Sequence, residues 1–387
     1  MKRIVILCDG TWNVATAPFP THVAQLSELI PKQGSDGVAQ VVRYLPGVGT
    51  GRGKTTPLGR WWDQALGGAF GVGLKQNVRD AYADLVRQYE IGDEVFIFGY
   101  SRGAYTARSL VGMIRSVGVM EPADLDKRLD RAMDFYRSRD LASHPRNPAS
   151  YPKRLEFSPK VATSAREVAW RKREGHGAAH LFEVAYLGLW DTVGALGVPA
   201  HLGLLASIFN RSTLFYDTVL STSVKAGRHA VSIDENRRSF EPTLWENLAL
   251  LNKGPQTETS HYQEKWFPGD HSVMGGGGPD DDLSSFPFAW VVEGGRTLGL
   301  SLKEADFEAR LAPANALGRL SARVNSANLV ATLMRRAPRS GPVDVAQISD
   351  PAQARWCQTK ADATPYNPKT LRLVSEDLDD GCVGLDG

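Results

Sequence analysis

The chain has 387 residues, more than one compact core needs and still within reach of a single large α/β core with insertions. Apolar residues make up 42% and charged residues 23%, and a formal net charge of +2 calls for neither nucleic acid nor an anionic surface as partner. Cys8, Cys357 and Cys382 are too few and too scattered for a disulfide framework or a Cys-based metal site, and no stretch approaches the ~20 apolar residues of a membrane span.

Residues 4–8 read as a buried strand stopped by the turn pair Asp9-Gly10. The short apolar run before Asp9 is far too short for a signal peptide, so synthesis is expected in the cytoplasm, with export by a route without a cleaved signal left open. Residues 41–45 suggest a second strand, ended by Pro46-Gly47. Val78, Ala81, Tyr82, Leu85 and Tyr89 fall at helical spacing, which predicts a helix within 75–89. Gly92-Asp93 breaks it, and residues 94–98 read as a strand. From 102 to 115 the period is helical again, with Ala104, Ala107, Val111 and Ile114 on one face. This alternation predicts an α/β fold, a mainly parallel sheet with helices on both faces.

Residues 121–179 are charged and partly helix-like, and are expected to form a helical insertion beside the sheet. Residues 184–190 and 229–233 read as further strands, each ending in an acid, Asp191 and Asp234. The last strand is expected near 265–267 and leads into Pro268-Gly269-Asp270-His271 and four glycines. A helix is expected within 320–335. The whole of 1–387 reads as a single domain, with 301–387 an extension packed on it.

Gly99-Tyr100-Ser101-Arg102-Gly103 matches G-x-S-x-G, between a predicted strand and a predicted helix. A sharp strand-to-helix turn presents the serine oxygen, and the flanking positions must be nearly free of side chain, as Gly99 and Gly103 are. The bland alternative is a serine that only caps a helix. As a nucleophile, Ser101 needs oxyanion donors. The Arg102 N–H at the helix start is one, and the loop at Gly10-Thr11 is the best candidate for another.

A serine hydroxyl also needs a base, and the base a carboxylate to orient it. In hydrolases of this class the chain order is serine, acid, histidine. Of eight histidines, His271 alone follows the last predicted strand, and four glycines let its loop swing over Ser101. For the acid, Asp191 and Asp234 both end strands; spacing does not choose between them, and the general habit of such hydrolases, an acid after the last-but-one strand, favours Asp234.

Six motifs in order then resemble one family: DGTWN at 9–13, PGVGT at 46–50, FGYSRGAYTAR at 98–108, LWDTVG at 189–194, HAVSIDENRRSF at 229–240 and WFPGDHS at 266–272. Together they resemble the α/β-hydrolase domain of type VI secretion phospholipase effectors. The resemblance runs from about residue 2 to 300. It implies Ser101, Asp191 and His271 as a catalytic triad, against the strand habit that keeps Asp234 as the alternative acid. It also implies no cofactor, an ester or phospholipid substrate cleaved in the manner of a phospholipase A, and a partner in an immunity protein or the secretion apparatus. One position departs: the family has an aspartate two residues after the histidine, and here it is Val273. The loop is therefore expected to be held by packing, or by Asp270 or Ser272. Residues 202–209 (LGLLASIF) and Leu214-Phe215-Tyr216 form an apolar segment suited to a lid or to a helix buried on the sheet. The alternative functions are an esterase on a non-lipid ester and a non-catalytic binding module.

Overall fold

Six segments pair side by side, all parallel: Arg3–Cys8 (β1), Gln40–Leu45 (β2), Glu94–Tyr100 (β3), Val184–Trp190 (β4), Val224–Ser232 (β5) and Tyr262–Phe267 (β6). Their order across the sheet is β2-β1-β3-β4-β5-β6. The computed structural model describes residues 1–10, 13–47, 68–194, 219–278, 281–321 and 337–382. The apolar segment at 202–216 and all but the first residues of the helix expected within 320–335 lie outside them.

Alternation along the strands divides the core into two layers. Ile4, Ile6, Val95, Ile97, Leu187 and Leu189 face one side. There they meet the helices His-free and apolar on that face, Gly68–Gln88 (with Val78, Tyr82 and Leu85) and Arg102–Val117. Val5, Leu7, Phe96, Phe98 and Tyr186 face the other side and pack on His22–Leu29, Ser285–Arg296 and Glu304–Leu311. In chain order the helices are α1 (His22–Leu29), α2 (Gly68–Gln88), α3 (Arg102–Val117), α4 (Leu125–Arg137), α5 (Tyr151–Phe157), α6 (Ala165–Arg173), α7 (Leu248–Asn252), α8 (His271–Gly275), α9 (Ser285–Arg296), α10 (Glu304–Leu311), α11 (Asp350–Gln358) and α12 (Ser375–Asp380). A parallel sheet covered on both faces is the α/β-hydrolase-like architecture that the alternation predicts.

Two strands begin earlier than their apolar runs. β5 starts at Val224, because exposed Lys225 and half-buried Arg228 interrupt the pattern that is legible from 229. β6 starts at Tyr262, and its Gln263, Glu264 and Lys265 are buried polar residues. Each has its own partner: Gln263 donates to the carbonyls of Thr257, Glu258 and Ser260, Glu264 meets His229, and Lys265 meets Glu258 at 2.6 Å. Polar residues with hydrogen-bond partners fit a strand that no hydrophobic period reveals.

Within 121–179, α4, α5 and α6 stand beside a short parallel pair, Val161–Ala162 with His180–Leu181. Further on, α11 and α12 bring Ile348, Trp356, Leu371 and Leu378 onto Val231, Ile233 and Trp266 in a third apolar cluster. Cys357 and Cys382 are joined there by a disulfide, so the scattered cysteines include one bridge that their spacing did not single out. Cys8 is a buried free thiol, pushed up to about 12 by burial and then by neighbouring Asp9.

Candidate active site

All six strands are parallel, so their carboxyl ends lie on one side of the sheet, and the loops that leave those ends meet there. The chain goes from β1 outward to β2 and later returns to β3 on the other flank. Such a reversal opens a crevice beyond the carboxyl ends of β1 and β3. Asp9 and Ser101 are the residues that leave those two ends.

Register sets the neighbours. Tyr100 pairs with Trp190 and Trp190 with Ala230, so Ser101 and Asp191 leave adjacent strands at the same level. The Ser101 N–H donates to the Trp190 carbonyl at 2.9 Å, and the Asp191 N–H to the Ala230 carbonyl at 2.7 Å. Both residues then take positive φ, 57° and 40°, a conformation that costs side-chain-bearing residues free energy and turns each side chain sharply out of its strand. A Cβ on Gly99 would lie 2.6 Å from the Ala104 Cα, and one on Gly103 would lie 2.1 Å from the Cys8 carbonyl oxygen. The turn therefore admits no side chain at either flank. Ser101 makes no capping hydrogen bond to α3.

Its hydroxyl oxygen lies instead 2.8 Å from His271 Nε2. On the far side of the ring, His271 Nδ1 lies 2.5 Å from Asp191 Oδ2. Asp191 is fully buried, and Ser101 and His271 are only 7% and 5% exposed. Asp234 is elsewhere: its Oδ2 accepts from the Gly269 N–H at 2.7 Å and the Tyr366 hydroxyl at 2.8 Å, bracing the loop ahead of His271.

Asp191 carries a second partner. Arg339 donates from Nη1 to Oδ1 at 2.6 Å and from Nη2 to Oδ2 at 2.8 Å, and the Ser232 N–H donates to Oδ1 at 3.0 Å. Burial alone would raise this carboxyl. The Arg339 charge, with the hydrogen bonds from His271 and Arg339, overturns that and holds it well below the usual carboxylate range. An ionised Asp191 accepts from His271, which puts the ring proton on Nδ1 and leaves Nε2 to accept from Ser101.

Other groups hold the frame. The Thr192 N–H donates to His229 Nε2 at 3.1 Å, so His229 carries its proton on Nδ1, 2.9 Å from Glu264 Oε2. This buried pair fixes the backbone just after Asp191. The Tyr100 hydroxyl donates to the His271 carbonyl at 3.0 Å, and the Phe240 ring meets the imidazole edge-on at 4.8 Å. Asp270 caps α8, its Oδ1 accepting from the N–H groups of Ser272 and Val273. Val273 is itself buried in the apolar cluster under the loop. His22 is a neutral core ring between Trp190 and Phe288, driven well below its ordinary value by burial.

Of the expected oxyanion donors, Arg102 stands at the first position of α3, where helix geometry turns N–H groups toward the crevice. The Gly10 N–H donates to the Asp9 carboxylate at 2.6 Å, and Thr11 lies outside the described residues. Asp9 is a buried hub that also accepts from Thr21 and Tyr44. A cavity of about 460 Å³ along α3, lined in part by Arg108, Arg115, Tyr136, Leu187 and Trp245, reaches neither Ser101 nor His271. No group of three or more metal-ligating side chains occurs among the described residues.

Serine, histidine and a buried carboxylate in this relay can move a proton from the serine to the imidazole as the oxygen attacks. Sequence reasoning missed Arg339, which lies in an Arg-Ala-Pro-Arg-Ser-Gly-Pro stretch with no motif around it, and the support from Tyr100 and from His229 with Glu264. His229 and Tyr100 did lie within quoted motifs, which was a signal without a role attached.

Residues 2–294 match the type VI secretion phospholipase effectors described as Tle1-like, in their catalytic domain. An uncharacterized protein of Saccharomyces cerevisiae is 28% identical over 259 residues, 65% of this chain and 34% of that protein. A crystal structure of an uncharacterized protein from Pseudomonas aeruginosa is 17% identical with a TM-score of 0.43, over 82% of this chain and 49% of that one. The structure of a Tle1 effector bound to the VgrG spike of the type VI secretion system is also 17% identical, with a TM-score of 0.38, over 72% of this chain and 52% of that one. This chain thus spans about a third of the curated relative and about half of each solved chain.

Proposed function

The chain belongs to the type VI secretion family of Tle1-like phospholipase effectors, by its catalytic domain, and from that premise we propose that it is a serine hydrolase of lipid carboxylic esters, cleaving in the manner of a phospholipase A. The observation that carries this reading is the unbroken relay of Ser101 Oγ, His271 and Asp191 at 2.8 and 2.5 Å. Ser101 attacks the ester carbonyl while His271 Nε2 takes its proton. His271 then returns the proton to the leaving alcohol, and the same ring activates water to release the acyl group. Asp191 keeps the tautomer and balances the imidazolium. The tetrahedral oxyanion is met by the Arg102 N–H. The Gly10 N–H, expected as a second donor, is turned to the Asp9 carboxylate, and Thr11, the other expected donor of the β1 loop, lies outside the described residues.

As to partners, membership in an effector family supports delivery by the secretion apparatus and, where the target must be restrained, an immunity protein. No helix of the described residues is long and apolar enough to cross a membrane. The test is a panel of phospholipids and p-nitrophenyl esters on the wild type beside Ser101→Ala, with fluorophosphonate labelling of both. Turnover and labelling that vanish together in the variant are expected. Equal labelling of both proteins would remove Ser101 from the mechanism, and turnover of simple esters without phospholipids would point to an esterase on a non-lipid ester.

A further inference from the structure

Arg339 lies 148 residues from Asp191 in the chain and beyond the matched residues 2–294, yet its fork is buried against that carboxylate. We infer that Arg339 is a positioning residue of the active site: it fixes the plane of Asp191, and through it the orientation of His271. The inference rests on the proposed reading of Ser101, His271 and Asp191 as the reacting set.

An ionised carboxylate offers about four lone-pair directions. At Asp191 all four are taken, by the two Arg339 nitrogens, the Ser232 N–H and His271 Nδ1. Without the fork, the Ser232 N–H on Oδ1 and the imidazole on Oδ2 remain, so only one backbone N–H would hold the carboxylate independently of the ring it is to orient. A displacement of an ångström at a reacting group costs up to about 10²-fold in rate. The guanidinium is held in its turn. Nη1 donates to the Ser232 carbonyl at 2.9 Å and Nη2 to the Phe240 carbonyl at 2.5 Å, so the same fork ties down the loop that sets Phe240 against His271. The backbone around it is anchored by the Ala337 N–H on the Asn236 carbonyl.

The charge matters as well as the shape. Arg339 neutralises Asp191, so the pair presents little net charge to His271, and an imidazolium gains less from it than from a bare carboxylate. The other groups around the ring are Ser101 and Tyr100 from the β3 turn and, from the loop after β5, Phe240 and Glu235, itself paired with Arg237, while Asp270 beside it in the chain is turned to Ser272, Val273 and Ser321. None of these shares the carboxylate with Arg339, so a change at 339 isolates this one contribution.

Removing the arginine also removes a buried ion pair, so loss of activity alone does not separate positioning from folding. Arg339→Gln is expected to lower kcat about 10- to 100-fold with little change in KM, and to move the acidic limb of the kcat/KM profile up by about one pH unit. Arg339→Lys keeps the charge and loses the fork. It should leave the limb in place and lower kcat about tenfold. The same upward shift is expected in the NMR titration of the His271 ring when Arg339→Gln is placed on Ser101→Ala, a readout that needs no turnover. A folded Arg339→Gln with wild-type kcat and an unmoved His271 titration would overturn the inference while leaving the proposed function standing. If Arg339→Gln does not fold, a folded Arg339→Lys with wild-type kcat overturns it equally. A wild type without turnover on any ester, in which the His271 titration still shifts, would sink the proposed function and keep the pairing.

Discussion

The molecule buries arginine on carboxylate in two regions. In the segment beside the sheet, Glu167 holds Arg154 at 2.6 Å and Arg171 at 2.5 Å, all three side chains at most 2% exposed. At the candidate active site Asp191 holds Arg339, buried to the same degree, and His271, whose side chain is 6% exposed. In the first region the surplus positive charge is absorbed by carbonyls: Arg171 donates to those of Ser158, Pro159 and Val161, and Arg154 to that of Pro145. The remaining partner is the Thr163 hydroxyl, which accepts from Arg154 and donates to the Arg115 carbonyl, so the cluster staples loops together and holds no imidazole to exchange a proton. In the second region one arginine is replaced by an imidazole, and that imidazole touches a hydroxyl at a strained turn. On the proposed function, one ligand of the carboxylate separates a clamp from a proton relay.

The sharpest way to break this contrast is to remove the charge from each carboxylate and measure turnover on one ester. Asp191→Asn should lower kcat by about 10⁴, since the amide favours the wrong imidazole tautomer. Glu167→Gln should leave the kcat of folded protein unchanged. An equal loss in both would make the segment part of the machinery.

Stability should rank the two regions differently. Glu167→Gln leaves two arginines buried around a neutral amide and is expected to cost about 3–5 kcal/mol in denaturant unfolding. Little or no cost would mean that Arg154 and Arg171 are satisfied by carbonyls alone.

A smaller loss should follow from opening the Cys357–Cys382 bridge, which closes a separation of 25 residues in the segment that carries Arg339. Replacing both with serine should cost about 3 kcal/mol by chain entropy. Because the bridge does not touch Asp191, kcat at 25 °C should hold. A fall in kcat would show that the fork depends on how firmly the segment is closed.

The smallest effect expected is in acid. The folded Asp191 carboxyl sits below its unfolded value, so it contributes stability above the ordinary carboxylate range, and that contribution is lost as pH falls. The unfolded chain takes up the proton first, near pH 4, and acid then favours unfolding. Denaturation midpoints followed from pH 5 to pH 3 should fall more steeply for wild type than for Asp191→Asn. Parallel curves would mean that Asp191 contributes no acid sensitivity.

Much of the fold was legible because hydrophobic period reports burial directly. β4 was read to the residue, and β1, β3 and α3 to within three residues at either end. The start of β5 is hidden because exposed Lys225 and half-buried Arg228 break its apolar run, and the start of β6 because a buried, paired Gln263 or Glu264 looks in sequence like a solvated one. α2 was read late because the glycines at 68, 71 and 73 look like breakers. At the site, Ser101 and His271 are nameable from motif and chain order, whereas Asp191 is nameable only through the family resemblance, against the strand habit that favours Asp234.

By itself the sequence determined the parallel α/β layering and the serine turn, since both follow from local period and from glycines at fixed offsets. It could not choose between Asp191 and Asp234 by spacing, and it carried no sign of Arg339. The family resemblance pointed to Asp191, the tertiary structure puts that carboxylate on His271, and Arg339 is visible in the tertiary structure alone. Strand register sets Asp191 level with Ser101 and leaves Asp234 on the Gly269 backbone, and the chain fold brings position 339 back to the end of β4. The physical reason is range: period and turn chemistry act between near neighbours in the chain, whereas a buried charge is matched by whatever the fold carries to it, from any distance along the sequence.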